Sequence, residues 1–535
     1  MHVKLGVEMN KILANLNAYG RFALGLRKFL RQKLTLAEAE AIVRQRLAER
    51  ESNFLRLMER GIFGYSQSPY LPLLQTARCE LGDIRNMVRD KGLEETLGEL
   101  RKAGVYVTFE EFKGRKPIVR DGNVFHIKPG QFDNPYLSRH YEATTGGTTG
   151  SSIRVRIDLE YIAADSPHLI LEHHIHGALN APYVIWFGTL PDPTGITATL
   201  LFSRYGKVPL KWFSMVSDRD LKPPLKYRLA TRWTVIAGRL SGAPIPWPQP
   251  VALDQAVIVA RYLAKLVADH GSCLIATHVS QALRICTAAI EAELDLTHVT
   301  IMGGGEPPSP TKVQLINRSG AKWVPQYFFT EAGAVGLGCA RPIDENDLHF
   351  IKDSLALIQY PRKVPGTETA VDAFNYTSLL PAAPKLLLNV ESDDYGIIET
   401  RACGCPFEAC GYTEHLRNVR SFRKLTGEGV TLVGSDMLHI LEEVLPSKFG
   451  GSPMDYQLLE EEDQQGFTRL SLLVSPRIQL NDESQVIETV LEALKRRGAG
   501  RQAIELWKQA ETLRVRRQDP ILTDRGKFSP LYRAK

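Results

Sequence analysis

The chain has 535 residues, of which 44% are apolar and 24% charged, with 42 glycines, 31 prolines and a formal net charge of +6. At about 150 residues per domain this length suggests three or four domains, and the composition excludes collagen-like, low-complexity and disordered classes. Seven cysteines are an odd and sparse set; with no signal-peptide pattern and no apolar run near the roughly 18 residues of a membrane span, they point to a reducing, cytoplasmic setting.

Residues 1–35 carry seven Lys/Arg against Glu8 alone, and residues 495–535 carry twelve against four acids. Neither stretch interleaves aromatics with its charges, so no nucleic-acid partner is expected. Thr35-Leu-Ala-Glu38 has the form of a capping box, in which the Thr oxygen caps a backbone N–H and the Glu reaches back. Apolar residues recur at Ile42, Val43, Leu47, Phe54 and Met58, a helical spacing that Gly61 is placed to close. A second helical stretch is predicted over 78–103, then a short extended run at Val105–Phe109.

From about 140 to 400, β-branched and aromatic runs alternate with helical patterns. Tyr183–Phe187, Cys273–Ala276 and Val299–Met302 read as strands, and 253–270 reads as a helix. The alternation predicts a layered α/β fold. Residues 216–250, rich in Pro, Lys and Arg, read as an irregular surface excursion. Arg423–Gly429 reads as a turn between domains. A small α+β module follows, with helices at 436–447 and 483–497 and strands near 455–460, 467–474 and 512–516. No internal repeat is present.

The strongest local signal is Thr144-Thr-Gly-Gly-Thr-Thr-Gly-Ser-Ser152, built wholly of Thr, Gly and Ser. Such glycines let backbone N–H groups converge on one point and the hydroxyls add donors, which suits phosphate oxygens. It is not the loop G-x-x-x-x-G-K-[ST], since no Lys follows the last Gly. On composition alone the same run would serve as a linker.

Three further segments accompany it: Gly303-Gly-Gly-Glu-Pro-Pro308, Tyr327-Phe-Phe-Thr-Glu-Ala-Gly333 and the near-terminal Gly526-Lys527. In this order and spacing the chain, from about residue 105 onward, resembles the adenylate-forming superfamily of acyl-CoA synthetases, luciferase and adenylation domains. The closest resemblance is to its phenylacetate–CoA ligase-like branch. Residues 1–104, which the resemblance does not cover, read as a helical N-terminal region from their periodicity; the resemblance implies an adenylate-forming α/β core domain (105–422) and an α+β lid domain (423–535). It implies a phosphate loop at Gly147, Thr148, Thr149 and Gly150, with Gly146 where Ser is usual and Arg154 nearest to a missing basic residue. It gives Gly304, Gly305 and Glu306 to the nucleotide site, Tyr327 to adenine, Thr330 to phosphate and Glu331 to Mg²⁺. Phe328 replaces the usual Gly. Asp394 and Arg423, with Arg420 in reserve, would hold the ribose. Lys527 would be the catalytic lysine of a basic lid closing over polyphosphate.

Cys403-Gly-Cys405, Cys339 and His349 form a second set. Cys-x-Cys is tighter than the usual structural zinc pair. The resemblance implies a zinc site of Cys339, His349, Cys403 and Cys405, with Cys410 and His415 as spare ligands. His173, His174 and His176 read as pocket-lining or surface residues, and Cys79, Cys273 and Cys286 as packed core.

The expected activity is therefore activation of an aryl or acyl carboxylic acid by ATP and Mg²⁺, followed by thioester formation with coenzyme A. Transfer to a protein thiol or an amine, and a nucleotide-binding homologue with altered catalysis, are the alternatives. The expected partner is a small-molecule carboxylate.

Overall fold

The computed structural model describes residues 20–22, 24–137, 140–144, 154–216, 223–363, 370–421, 424–427, 430–463, 466–496, 501–521, 528 and 530–533. Helix α1 (Leu36–Ala48) starts at the expected capping box: Glu38 N donates to Thr35 Oγ1 at 3.3 Å, and Thr35 N donates to the Glu38 carboxylate at 2.8 Å. The chain stays helical through Arg50–Leu57 into a wide turn at Met58–Phe63, and Gly64 caps its end. Gly61 therefore does not end the helix. It lets the turn lie against the connection between β14 and β15, because a Cβ there would meet Leu386 Cδ1 at 2.8 Å. The stretch expected over 78–103 is two helices, α2 (Leu81–Lys91) and α3 (Leu93–Lys102). Gly92 breaks them by taking φ +79°. The predicted extended run stops at Thr108, whose hydroxyl caps a short helix over Phe109–Phe112. Cys79 is half-buried and packs against the edge of the N-terminal core, and Cys273 and Cys286 are fully buried as expected.

Two hairpins follow, β1 (Ile118–Arg120) with β2 (Asn123–Phe125), and β3 (His140–Thr144) with β4 (Arg154–Asp158). Helix α4 (Leu159–Ile175) leads into a twelve-stranded sheet. Its first part is β5 (Tyr183–Trp186), β6 (Lys211–Ser214), helix α5 (Leu225–Leu240), β7 (Pro248–Pro250), helix α6 (Ala256–His270) and β8 (Cys273–His278). Helix α7 (Val279–Glu291), β9 (Val299–Gly304), helix α8 (Pro310–Arg318) and β10 (Lys322–Phe329) complete the parallel half. The remaining strands are β11 (Gly333–Gly338), β12 (Leu348–Phe350), β13 (Leu355–Lys363), β14 (Ala370–Ser378), β15 (Val390–Thr400) and β16 (Glu414–Ser421). The order is β13-β14-β15-β16-β12-β11-β10-β9-β8-β5-β6-β7. From β10 to β7 every pairing is parallel, and from β10 to β13 every pairing is antiparallel.

The segment expected to be irregular, 216–250, holds the 16-residue helix α5. Its composition is that of a loop, but Tyr227, Thr231, Thr234, Val235 and Gly238 are buried at helical spacing. Lys424–Gly427, expected as a turn, is β17 and pairs with β18 (Val430–Val433). The C-terminal residues add β19 (Tyr456–Glu462), β20 (Thr468–Val474), helices α9 (Ser484–Arg496) and α10 (Arg501–Gln509), β21 (Leu513–Arg517) and β22 (Leu531–Arg533). These strands form a four-stranded sheet in the order β21-β20-β19-β22. It docks on α8. Buried Lys312 Nζ reaches Thr468 Oγ1 at 3.1 Å and Glu462 at 3.3 Å, and Ser309 Oγ donates to Glu462 at 2.7 Å.

The N-terminal helices are joined to the sheet through a buried charge network. His168 of α4 lies 2.9 Å from Asp353 and 3.1 Å from Asp165. Tyr412 OH donates to Asp353 at 2.8 Å, and Arg46 of α1 reaches it at 3.6 Å. Burial alone would lower the His168 pKa, but Asp353 and Asp165 outweigh it and raise it to about 9. A raised histidine stabilises the fold fully below its unfolded value of 6.5 and loses that contribution as pH rises through about 9. Stability should fall over this window by on the order of 3 kcal/mol. Urea melts at stepped pH check it, and His168→Asn, itself less stable, should lack the slope.

Candidate active site

The sheet changes from parallel to antiparallel at β10, and two of the predicted motifs, Gly303–Pro308 and Tyr327–Gly333, lie at the carboxyl ends of β9 and β10. Ligand sites in open α/β sheets form outside the carboxyl ends of the strands. Gly303 lies in register with Pro325, and Gly304 with His278. The glycines are required by packing: a Cβ on Gly304 would stand 2.2 Å from the Gln326 carbonyl oxygen, and Gly305 takes φ +83° beside His278. Glu306 turns inward and accepts from Ser280 Oγ at 2.6 Å.

Tyr327, Phe328 and Phe329 end β10, and Thr330 and Glu331 occupy the turn into β11. Tyr327 OH donates to Asp394 Oδ2 at 2.6 Å and receives the Tyr376 hydroxyl at 3.3 Å. Ser421 Oγ donates to the other oxygen of Asp394. Burial, with Asp394 alongside, pushes the Tyr327 phenol well above its ordinary value, so it stays a donor. Asp393 precedes this carboxylate in the left-handed region at φ +65°, a conformation uncommon outside glycine. Arg420 lies across from Tyr395 in the β15–β16 pairing.

Glu331 is buried and accepts from Lys113 Nζ at 2.9 Å. Burial alone would raise its carboxyl; Lys113 and, farther off, Lys385 outweigh this and hold it below its ordinary value. Lys113 follows the Phe109–Phe112 helix and lies within 5.3 Å of the Phe109 ring centroid. Nothing in the sequence pattern connects Lys113 to a carboxylate 218 residues away; only the fold brings them together. The same holds for Tyr376 and Ser421. On the neighbouring position of β10, Gln326 Nε2 donates to Glu172 of α4, whose carboxyl is pushed up to about 8 by burial. His173 and His176 are also buried there, bonded to Tyr205 OH at 2.7 Å and to the Gly338 carbonyl at 2.8 Å. His174 is exposed.

Cys339, His349, Cys403 and Cys405 converge. Their ligand atoms all lie within 4.8 Å of one another. Cys339 follows β11, His349 sits on β12, and Cys403-Gly-Cys405 lies between β15 and β16. His349 Nδ1 faces the Tyr412 carbonyl at 2.8 Å, and Nε2 lies 3.1 Å from Cys405 Sγ and 3.6 Å from Cys403 Sγ. Donation from Nδ1 leaves Nε2 as the atom with a lone pair toward the sulfurs, the arrangement a histidine ligand needs. A hydrogen bond from Cys339 holds the Cys405 thiol well below its ordinary value and pushes Cys339 up. Cys339 is shared with a second cluster containing Asp347 and His415, which face each other at 2.6 Å. Cys410 is not in either set. The loop residues Gly147, Thr148, Thr149 and Gly150, and also Arg423 and Lys527, lie outside the described residues.

No protein-family model and no curated protein matches the chain. Among solved structures, a 2-hydroxyisobutyryl-CoA ligase in complex with 2-HIB-AMP and CoA matches over 94% of this chain and 91% of its own, at 15% identity and a TM-score of 0.51. The chain has the adenylate-forming fold. An amide bond synthetase from Marinactinospora thermotolerans is a looser likeness, covering 90% of this chain and 92% of its own at 11% identity and a TM-score of 0.39.

The Lys113–Glu331 pair gives a test that needs no substrate. Removing one partner of a buried ion pair costs about 3 kcal/mol or more, because the other charge is left uncompensated. Lys113→Met should destabilise the protein by about that amount, and adding Glu331→Gln should restore most of it. Urea-midpoint shifts for both single variants and the double variant check this; additive losses would contradict it.

Proposed function

We propose that the chain activates an aryl or acyl carboxylic acid with ATP and Mg²⁺ and transfers the acyl group to coenzyme A, as an enzyme of the phenylacetate–CoA ligase-like branch. The observation that carries this reading is the 2.6 Å bond from Tyr327 to Asp394. Two motifs read from sequence as the adenine and ribose contacts meet at the end of β10, beside the turn that bears Thr330 and Glu331. In the proposed reaction a carboxylate oxygen attacks the α-phosphorus, and the bond from that phosphorus to pyrophosphate breaks. Gly147, Thr148, Thr149 and Gly150 cradle the phosphates, with Gly304, Gly305 and Glu306 shaping the nucleotide site and Arg423 on the ribose. Preorganised donors aimed at developing charge are where such a step gains most of its rate. Residues 423–535 act as a lid that brings Lys527 to the site.

Glu331 fits a Mg²⁺ ligand: it is a buried carboxylate held ionised in a cationic setting, and a hard cation takes carboxylate and phosphate oxygens. When bound there, Mg²⁺ neutralises phosphate charge. Cys339, His349, Cys403 and Cys405 fit a closed structural Zn²⁺ site by donor type, mutual distance and the His349 tautomer. With four protein ligands the metal serves structure: it ties the segment after β11 to the end of β15.

Pyrophosphate exchange screened across aryl and fatty acids tests the first half-reaction, and coenzyme A dependence tests the acceptor. Lys527→Ala should lose adenylation by ~3–4 kcal/mol in barrier terms, a factor of about 10²–10³, with folding intact. Near-normal exchange in that variant would sink the lid assignment. Metal analysis should find about one zinc per chain, and Cys403→Ser should lower zinc content and melting temperature together. Protein never exposed to chelator yet carrying no zinc would make the four residues ordinary core side chains.

A further inference from the structure

Helix α5 presents an outward face that a solvated helix does not have. Leu225, Leu229, Trp233, Ile236 and Leu240 are 66%, 54%, 49%, 41% and 80% exposed. Their spacing of four, four, three and four residues puts them in one stripe, about 22 Å long at 1.5 Å per residue. The opposite face is already committed: Tyr227, Val235 and Ala237 are buried in the core with Tyr183, Ile185 and Trp212 of the sheet. Trp247, beyond the helix end, is 44% exposed, with the Arg239 guanidinium 5.5 Å from its ring. Single exposed apolar side chains are ordinary; a continuous row of large ones marks an interaction surface.

Charge identifies what the surface meets. From Leu221 to Leu253 the chain has no Asp or Glu, against Lys222, Lys226, Arg228, Arg232 and Arg239. Lys226, Arg232 and Arg239 are exposed beside the stripe. A second copy docked through this face would bring the exposed Lys226, Arg232 and Arg239 of two chains together, so self-association is disfavoured. An apolar row containing tryptophan and flanked by lysine and arginine is complementary to an anionic lipid surface: apolar side chains enter the acyl boundary and cations meet headgroup phosphates. Among the described residues no helix is long and apolar enough to cross a membrane, so the helix lies on the surface.

We infer that α5 and Trp247 form a docking surface for membranes rich in anionic lipid. This is independent of the reaction proposed above. The test is co-sedimentation of the full chain with vesicles of phosphatidylcholine alone and of phosphatidylcholine mixed with phosphatidylglycerol. Tryptophan emission is read in parallel. The expected result is binding to the mixed vesicles with a blue shift, weakened by salt, and much weaker binding to phosphatidylcholine alone. Leu229→Gln with Trp233→Gln should abolish the shift that the stripe contributes. Lys226→Glu with Arg232→Glu should weaken binding by at least about tenfold. All four positions are exposed, and unchanged thermal melting confirms folding; because residues 1–35 and 495–535 are also basic, binding that both double variants leave unchanged overturns the assignment to α5. Absence of binding to mixed vesicles, or equal binding to both kinds, overturns the inference. So does a concentration-dependent dimer in sedimentation velocity that Trp233→Gln dissociates, which would assign the face to a second copy.

Discussion

Strand β10 has to satisfy two hydrogen-bond geometries at once. On one side it pairs in parallel with β9, from Lys322 to Pro325; on the other it pairs antiparallel with β11, from Gln326 to Phe329. The two ladders share no residue, so the strand finishes one before it begins the other. Just past the changeover, within the antiparallel ladder, the register jumps from Tyr327–Gly336 to Phe328–Ala334, a bulge that leaves Val335 without a partner on β10. Bulges re-aim side chains and recur beside functional sites. Here the bulge falls between Tyr327 and the turn that carries Glu331, and it separates the ring that reaches Asp394 from the carboxylate that faces Lys113.

The site therefore depends on elements from far along the chain, held by buried ion pairs. Lys113 reaches Glu331, Arg101 lies 3.6 Å from Glu391, and Arg46 lies 3.6 Å from Asp353. Each joins the N-terminal third to the antiparallel half of the sheet. Such pairs add less to stability than their Coulomb energy suggests, since both charges are desolvated, but a mispaired alternative would leave a charge buried alone. The N-terminal helices are thus fixed in orientation as well as covered in apolar surface, through Phe54, Leu97 and Leu100 packed with Phe350 and Tyr376.

Local signals were legible in the sequence where local physics decides. The capping box at Thr35, the strands at Tyr183, Cys273 and Val299, and the helix over 256–270 all follow from periodicity and side-chain type. The convergence of Cys339, His349, Cys403 and Cys405 followed from a resemblance, not from spacing, because strand pairing across β11, β12 and β16 assembles it. Three readings failed for identifiable reasons. Gly61 was read as a helix end, yet its lack of a side chain serves close packing on Leu386. The prolines and charges of residues 216–250 point to an irregular segment, whereas the helical spacing of Tyr227, Thr231, Thr234 and Gly238 prevails. Lys424–Gly427 has turn-like composition but finds a partner in β18. Lys113 and Ser421 were illegible in principle, since no local pattern encodes a contact made across hundreds of residues or with a strand end.

The far edge of the sheet carries a protection of its own. Val251 N donates inward to the Ser214 carbonyl at 2.8 Å, so with strand alternation Gln249 shares that inward side, whereas Pro248 and Pro250 take the positions whose N–H groups would point outward. Proline has none to offer. A twelve-stranded sheet with an open rim would be a template for further strands, and such rims seed amyloid-like growth. By withholding both outward donors at β7, the chain closes that rim to backbone recruitment, so concentrated or partly unfolded protein is denied the most direct route to fibrils from this side.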